Sequence, residues 1–264
     1  MSLNEILFFL VILGANIIQG ITGFAGTILA MPMSLMLVGY DVAKPVLNVL
    51  GLLSGIYVFV GHYKNVNWKE FRKVVCIMTI GILAGIAIKN VMNGQDAVLF
   101  KLLGVFVVVL AVQGLFVILH STKKEKACAV DCLAEEKNQS NEKPRKKNTP
   151  GNTALLLGAG IAHGIFVSGG PLVVAYLSKV LKDKEIFRST ISTVWIVLNT
   201  IILVDDVYSG LWNLSLCKTQ LISIPFLLIG MYIGAKLYKI MSQKVFMVLT
   251  YLLLFISGVS LLMK

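Results

Sequence analysis

The chain has 264 residues, 57% of them hydrophobic and only 14% charged, with a net charge of +11 and a mean hydropathy of +0.84. An ordinary soluble domain carries about 25% charged residues, so a water-soluble globular class is excluded. The basic excess calls for no nucleic-acid partner, because cytoplasmic loops of membrane proteins are rich in Lys and Arg.

Windows of about twenty apolar residues, enough to cross a bilayer, recur along the chain. The fold class is therefore an all-α polytopic protein, multi-pass in the cell (cytoplasmic) membrane. The opening stretch MSLNEILFFLVILGANI lacks a basic n-region and an A-x-A-like site and reads as a retained segment. Apolar segments follow at 3–20, 25–39, 45–61, 73–89 and 98–119, then 153–167, 170–179, 189–204, 218–235 and 245–263. Between the two groups lies a polar linker, 120–152, with eight basic and five acidic residues and no apolar period, read as disordered or loosely helical. The organisation is an N-terminal repeat (1–119), the linker (120–152) and a C-terminal repeat (153–264). Cys76 and Cys217 sit in apolar segments as small fillers, and Cys128 and Cys132 lie in the linker without a zinc-like pattern. No metal and no cofactor is implied.

Two glycine-rich breaks interrupt the apolar segments. GANIIQGITGFAG (14–26) lies over GAGIAHGIFVSGG (158–170) at an offset of 144, which pairs Gly14 with Gly158, Gly20 with Gly164 and Gly26 with Gly170. The same offset pairs Lys44 with Arg188 and Trp68 with Trp212, and an offset of 149 aligns GILAGIAIKNVM with GMYIGAKLYKIM. Of the 24 basic residues, nineteen fall in 61–73, the linker, 179–188 and 236–244. Taking that set as cytoplasmic puts the linker inside, both termini outside, and equivalent loops of the two halves on opposite sides. The repeats are then inverted. Inversion requires an odd number of crossings per half, so each half reads as a broken-helix, re-entrant hairpin plus three transmembrane helices. Conventional counting would give about eight spans, and two full spans in place of each hairpin stay open.

Irregular backbone at membrane depth is tolerated only where protein or a water-filled cavity surrounds it. Interrupted helices at matching places of inverted halves point to a transporter's midplane site, where half-helix N-termini attract anions. The competing reading, close helix packing through small-xxx-small motifs, suffices for Gly51, Gly55, Gly81, Gly85, Gly230 and Gly234. GITGFAG followed by Pro32, repeated as GIFVSGGP, resembles the sulfite exporter TauE/SafE family over nearly the whole chain outside the linker. The resemblance implies export of sulfite or a small organosulfonate across the cytoplasmic membrane.

The candidate substrate-binding residues gather at the two breaks. Gln19 and His163 share one repeat position and can hydrogen-bond an oxyanion; His163 can also carry a proton. Gly20, Gly23, Phe24 and Gly26 in the first break, with Gly164, Gly169 and Gly170 in the second, allow close backbone approach. Thr22 and Ser168 add hydroxyls, the latter standing where the first copy has Phe24. Asn48 and Ser192 are repeat partners on the following segments, and Asn199 lies two turns beyond Ser192. Helix–helix hydrogen bonding is the alternative for these three. The expectation is that both glycine tips meet near the midplane around one anion, and that Gly55→Ala is milder than Gly23→Val or Gly169→Val. Pro32 and Pro171 shape the hairpins, Lys44 and Arg188 sit at pathway mouths or snorkel, and Asp205 and Asp206 cap a segment at the outer side.

The leading function is a secondary transporter of a small sulfur oxyanion by alternating access, with the anion and membrane lipid as partners and a homodimer left open. A passive anion channel or a carrier of another small anion are the alternatives. An intramembrane enzyme lacks any G-x-S-x-G or H-E-x-x-H, and a divalent-cation carrier lacks membrane acids.

Overall fold

The computed structural model describes residues 3–22, 26–91, 150–181 and 183–237, with scattered positions in 98–116 and 252–263. The first tip (Gly23, Phe24), most of the linker with Cys128 and Cys132, and most of segment 245–263 lie outside the described residues. Among those described there is helix and turn but no strand. The principal helices are α1 (Leu3–Thr22), α2 (Gly26–Val38), α3 (Tyr40–His62), α4 (Trp68–Val91), α5 (Pro150–Phe166), α6 (Gly170–Val180), α7 (Lys184–Tyr208) and α8 (Leu214–Leu237). Five of them, α1, α3, α4, α7 and α8, are long and apolar enough to cross a membrane. The protein is thus an all-α polytopic membrane protein.

Short polar signals set the helix ends. Asp183 caps α7, accepting from the Glu185 and Ile186 amides at 2.9 Å each. Asn67 and Asn213 cap α4 and α8, accepting from Glu70 at 3.1 Å and Leu216 at 2.8 Å. Between α2 and α3 the chain reverses at one residue, Gly39, whose φ of 78° suits glycine. Pro32 lies inside α2, and Pro171 occupies the first turn of α6, where its missing N–H is no loss. Cys76 and Cys217 are exposed free thiols, not buried fillers.

Two glycine seams hold helices of different repeats together. A methyl group at Gly20 would lie 2.9 Å from the Met231 carbonyl oxygen, and one at Gly230 would lie 2.8 Å from Asn16 Cβ. Likewise, methyls at Gly160 and Gly164 would lie 2.5 and 2.6 Å from the Met78 and Ile82 carbonyl oxygens. Both registers advance together, so α1 runs parallel to α8 and α4 parallel to α5. The absent side chains let the backbones touch, the small-xxx-small packing expected of Gly81, Gly85, Gly230 and Gly234. Gly20 and Gly164, expected at the binding site, turn their bare faces to these seams.

The apolar residues form two cores. One joins α1, α2, α3 and α8 through residues such as Phe8, Met31, Leu47 and Met231, with Ile165 and Phe166 of α5 reaching in. The other joins α4, α5, α6 and α7 through Met78, Ala159, Tyr176 and Leu198. Each lobe therefore draws helices from both sequence repeats. Between the lobes, α3 crosses α7 with Lys44 against Asp206, Asn48 against Asn199 and Gly55 against Ser192. As one sequence rises the other falls, so these two repeat partners run antiparallel.

Candidate functional site

Each break folds a helix back over a glycine. At the first, a methyl on Gly26 would lie 2.7 Å from Gln19 Cβ and 2.9 Å from the Ala15 carbonyl oxygen. At the second, a methyl on Gly169 would collide with the Ala159 carbonyl and lie 2.9 Å from His163 Cβ. The offset of 144 carries Ala15 and Gln19 onto Ala159 and His163, but the glycine that fits is Gly169, one residue before Gly170. The second turn is shorter by one residue and is built on Val167, buried and held at φ 54°. A β-branched residue in that region is strained. Ser168 is buried and turns back to donate to the Phe166 carbonyl at 2.9 Å. The side chain of Thr22 and the residues Gly23 and Phe24 lie outside the described residues.

The expected meeting of the two tips involves Gly23 and Phe24, which lie outside the described residues. The Ile165 carbonyl, at the second break, accepts from the Tyr40 hydroxyl at the start of α3. The Gly20 carbonyl, at the first, accepts from Arg188 Nη2 at 3.0 Å, near the start of α7. Because α3 and α7 are antiparallel, these two contacts fall at opposite ends of the crossing. The side chains of Gln19 and His163 reach towards its middle.

Gln19 Oε1 accepts from the Gly26 amide at 2.7 Å, and its Nε2 donates to Ser54 Oγ at 3.1 Å. Ser54 Oγ in turn donates to the Gly51 carbonyl at 2.9 Å. Gly51 lies against Asn199, where a methyl would stand 2.7 Å from Asn199 Nδ2. Asn199 Oδ1 is 2.9 Å from His163 Nε2, which makes that ring nitrogen the donor, since an amide oxygen can only accept. Asn48 Nδ2 adds a bond to the Asn199 carbonyl at 3.0 Å. A buried polar strip thus runs Gln19–Ser54–Gly51–Asn199–His163, from one lobe to the other.

Several polar atoms along it have no hydrogen-bond partner among the described residues: His163 Nδ1, Ser192 Oγ, Asn48 Oδ1 and Trp195 Nε1. Trp195 lies with its ring centroid 4.9 Å from that of His163. Ser192, Trp195 and Asn199 share one face of α7 at helical spacing. Leaving such groups unmade costs free energy, and a polar ligand would repay it. Trp195 went unnoticed in the sequence because its ring reads as core; only the placement of that ring beside His163 and its buried N–H without a partner among the described residues mark it. The enclosed space beside the strip, lined by Asn16, Gln19, Thr27 and Ser54 among others, is about 10 Å³, roughly one water molecule.

One end of the crossing is closed by charge. Lys44 is fully buried and its Nζ lies 2.6 Å from Asp206 Oδ1, with Asp205 Oδ2 at 3.7 Å; Lys89 Nζ is 4.0 Å from Asp205. Lys44 therefore does not snorkel, and Asp206 does more than cap a segment: the two form a buried pair between lobes. At the other end, Asn65 Nδ2 donates to Glu185 at 3.1 Å, and buried Glu70 accepts from the Tyr176 hydroxyl at 2.8 Å.

A family model described as "Sulfite exporter TauE/SafE" matches residues 8–261. The chain belongs to the sulfite exporter TauE/SafE family. Neither the curated proteins nor the solved structures compared with it gave a match. As a TauE/SafE member with five membrane-length helices, the protein falls in a family of membrane transporters.

Proposed function

We propose that the protein carries a small sulfur oxyanion, sulfite or an organosulfonate, out across the cytoplasmic membrane as a secondary transporter. The observation that carries this reading is the polar strip across the two lobes, with the donors Ser192 Oγ–H and Trp195 Nε1–H left without partners among the described residues. Unpaired donors in an apolar surround suit an oxyanion better than a cation. The His163–Asn199 pair, Asn48 and Ser192 hold the ligand, while Gln19 closes the first hairpin beside them. Gly26 and Gly169 position Gln19 and His163 by letting each helix fold back, and Gly20 and Gly164 hold the helices in register with the opposite repeat.

The two repeats are inverted in the membrane, a reading supported by the antiparallel α3–α7 pair and by the exchanged pairings α1–α8 and α4–α5. The linker is cytoplasmic and both termini are outside. Alternating access follows from the lobes parting first at one end of the crossing and then at the other. The small enclosed space beside the strip fits a closed state of a carrier better than a standing pore. Two lobes whose cores share only a few residues, such as Ile165 and Phe166, can part with little repacking, whereas a channel needs a continuous wet path.

The test is counterflow in proteoliposomes. Vesicles preloaded with unlabelled sulfite, sulfoacetate, sulfate or thiosulfate are diluted into labelled sulfite. A carrier gives transient accumulation that saturates with substrate. Flux that never saturates and shows no counterflow would establish the channel, and no flux of any of these anions would remove the sulfur-oxyanion reading. Labelling of single cysteines from each side tests the orientation; a linker reactive from outside would reverse it.

A further inference from the structure

The polar strip does not use Lys44, a fully buried ammonium. Lys44 is among the largest fully buried side chains and belongs to α3 of the first lobe; its partner Asp206 belongs to α7 of the second. Burying two charges is costly and is repaid only by close pairing. A packed apolar pair would do the structural task with less cost, so the ion pair suggests a use.

Three features place that use on the transport path. Lys44 stands one helical turn after Tyr40, whose hydroxyl holds the Ile165 carbonyl two residues beyond His163. Asn48, which bonds Asn199, is one turn further along the same helix. Asp206 has a second, buried carboxylate oxygen, Oδ2, with no hydrogen-bond partner among the described residues, so its pairing with Lys44 is incomplete. The neighbouring Asp205 and Lys89 side chains are partly exposed, at 18% and 13%, so the pair lies one side chain from the molecular surface.

We propose that Lys44 is an anion-binding position on the path, held in this conformation by the Asp206 carboxylate, and that an oxyanion replacing Asp206 there unlatches the lobes. The inference rests on the oxyanion-transport reading above. An anion leaving His163 meets an ammonium already oriented towards a carboxylate. When the anion takes that place, the bond between α3 and α7 is lost and this end of the crossing opens. Asp206, released into water, repels the anion outward. No proton and no covalent step is needed: one anionic partner of Lys44 exchanges for another. The ligand is a sulfite- or sulfonate-like oxyanion, and a neutral molecule of the same size would not open the latch.

The test uses the full-length protein, with sulfite as probe, in calorimetry and in proteoliposome counterflow. Asp206→Asn removes the competing carboxylate, so sulfite should bind about three- to tenfold more tightly. Unchanged or weaker binding by a folded Asp206→Asn protein would overturn the proposal. Lys44→Met/Asp206→Leu replaces the pair by apolar groups of similar size and keeps both lobes packed. It should be monodisperse yet exchange sulfite at least tenfold more slowly, and wild-type exchange by it would show the pair to be structural only. If Asp206→Asn fails to fold, the double variant decides. Absence of counterflow in the wild type would instead remove the transport reading, and the latch with it, whereas normal wild-type counterflow with an unaffected double variant removes the latch alone.

Discussion

The two breaks share a plan and differ in where their polar side chains are satisfied. At the first, Gln19 closes its own hairpin: its carbonyl oxygen binds the Gly26 amide and its amide binds Ser54 within the same lobe. At the second, His163 has no such bond to its own tip. Its Nε2 reaches Asn199 on α7, whose amide group stands at Gly51 of the other lobe, and its Nδ1 has no hydrogen-bond partner among the described residues. One duplicated turn has become a closed structural element, and the other keeps hydrogen-bonding capacity in reserve at the crossing. Sequence symmetry alone gave the two positions equal standing; the bonding pattern separates them.

The largest effects should come from filling the glycines that let the helices fold back. Gly26→Val and Gly169→Val each push a branched side chain into the facing turn, Ala15 and Gln19 in one case and Ala159 and His163 in the other. Overpacking against backbone should cost about 3 kcal/mol or more. Both variants should lose sulfite exchange, read alongside thermal unfolding in detergent. A folded Gly169→Val protein with normal exchange would disprove the geometry of the second break.

The next pair separates the breaks. Gln19→Ala leaves the Gly26 amide unpaired and should lower unfolding free energy by about 1–3 kcal/mol, with a smaller change in sulfite affinity. His163→Ala should weaken sulfite binding by a comparable 1–3 kcal/mol, measured by calorimetry on monodisperse protein. Equal losses of affinity in the two variants would return the breaks to equivalence.

Gly85→Ala and Gly55→Ala come next. A methyl at Gly85 would lie 2.5 Å from the Ile161 carbonyl oxygen inside a lobe, and one at Gly55 2.9 Å from the Ser192 carbonyl oxygen between lobes. Each should cost about 1–3 kcal/mol of stability. Gly55→Ala thus stays milder than the valine variants. It should also slow exchange out of proportion to its stability loss, and Gly85→Ala should not. The smallest effect is expected for Ser192→Ala. Its hydroxyl lacks a partner among the described residues, so stability should change by less than about 0.5 kcal/mol while sulfite affinity falls a few-fold.

Much of this was legible in the chain. Apolar runs located the helices, and the pattern GITGFAG/GIFVSGG located the breaks and matched Gln19 with His163. The helices extend several residues past the apolar runs, as α7 does from 189–204 to Lys184–Tyr208, because polar groups at their ends cap or pair rather than terminate. Lys44 and Asp206 are 162 residues apart, and nothing local in either says that both are buried, so each read as an end charge. The one-residue shortening at Val167 was hidden because adjacent Gly169 and Gly170 fit the alignment equally well. The meeting of the tips was a symmetry argument, and its first member, Gly23 with Phe24, lies outside the described residues.

The central claim is that the moving bodies are the two mixed lobes, with the anion held where α3 crosses α7. Spin labels at exposed positions test it most directly, through distances recorded in lipid with and without saturating sulfite. Leu10 of α1 and Tyr232 of α8 lie in one lobe but in different sequence repeats, and Leu83 of α4 lies in the other lobe. The account predicts that sulfite leaves the 10–232 distance unchanged and shifts the 10–83 distance by several ångströms. A constant 10–83 distance with a changing 10–232 distance would contradict it, since the halves of the sequence would then be the bodies that move.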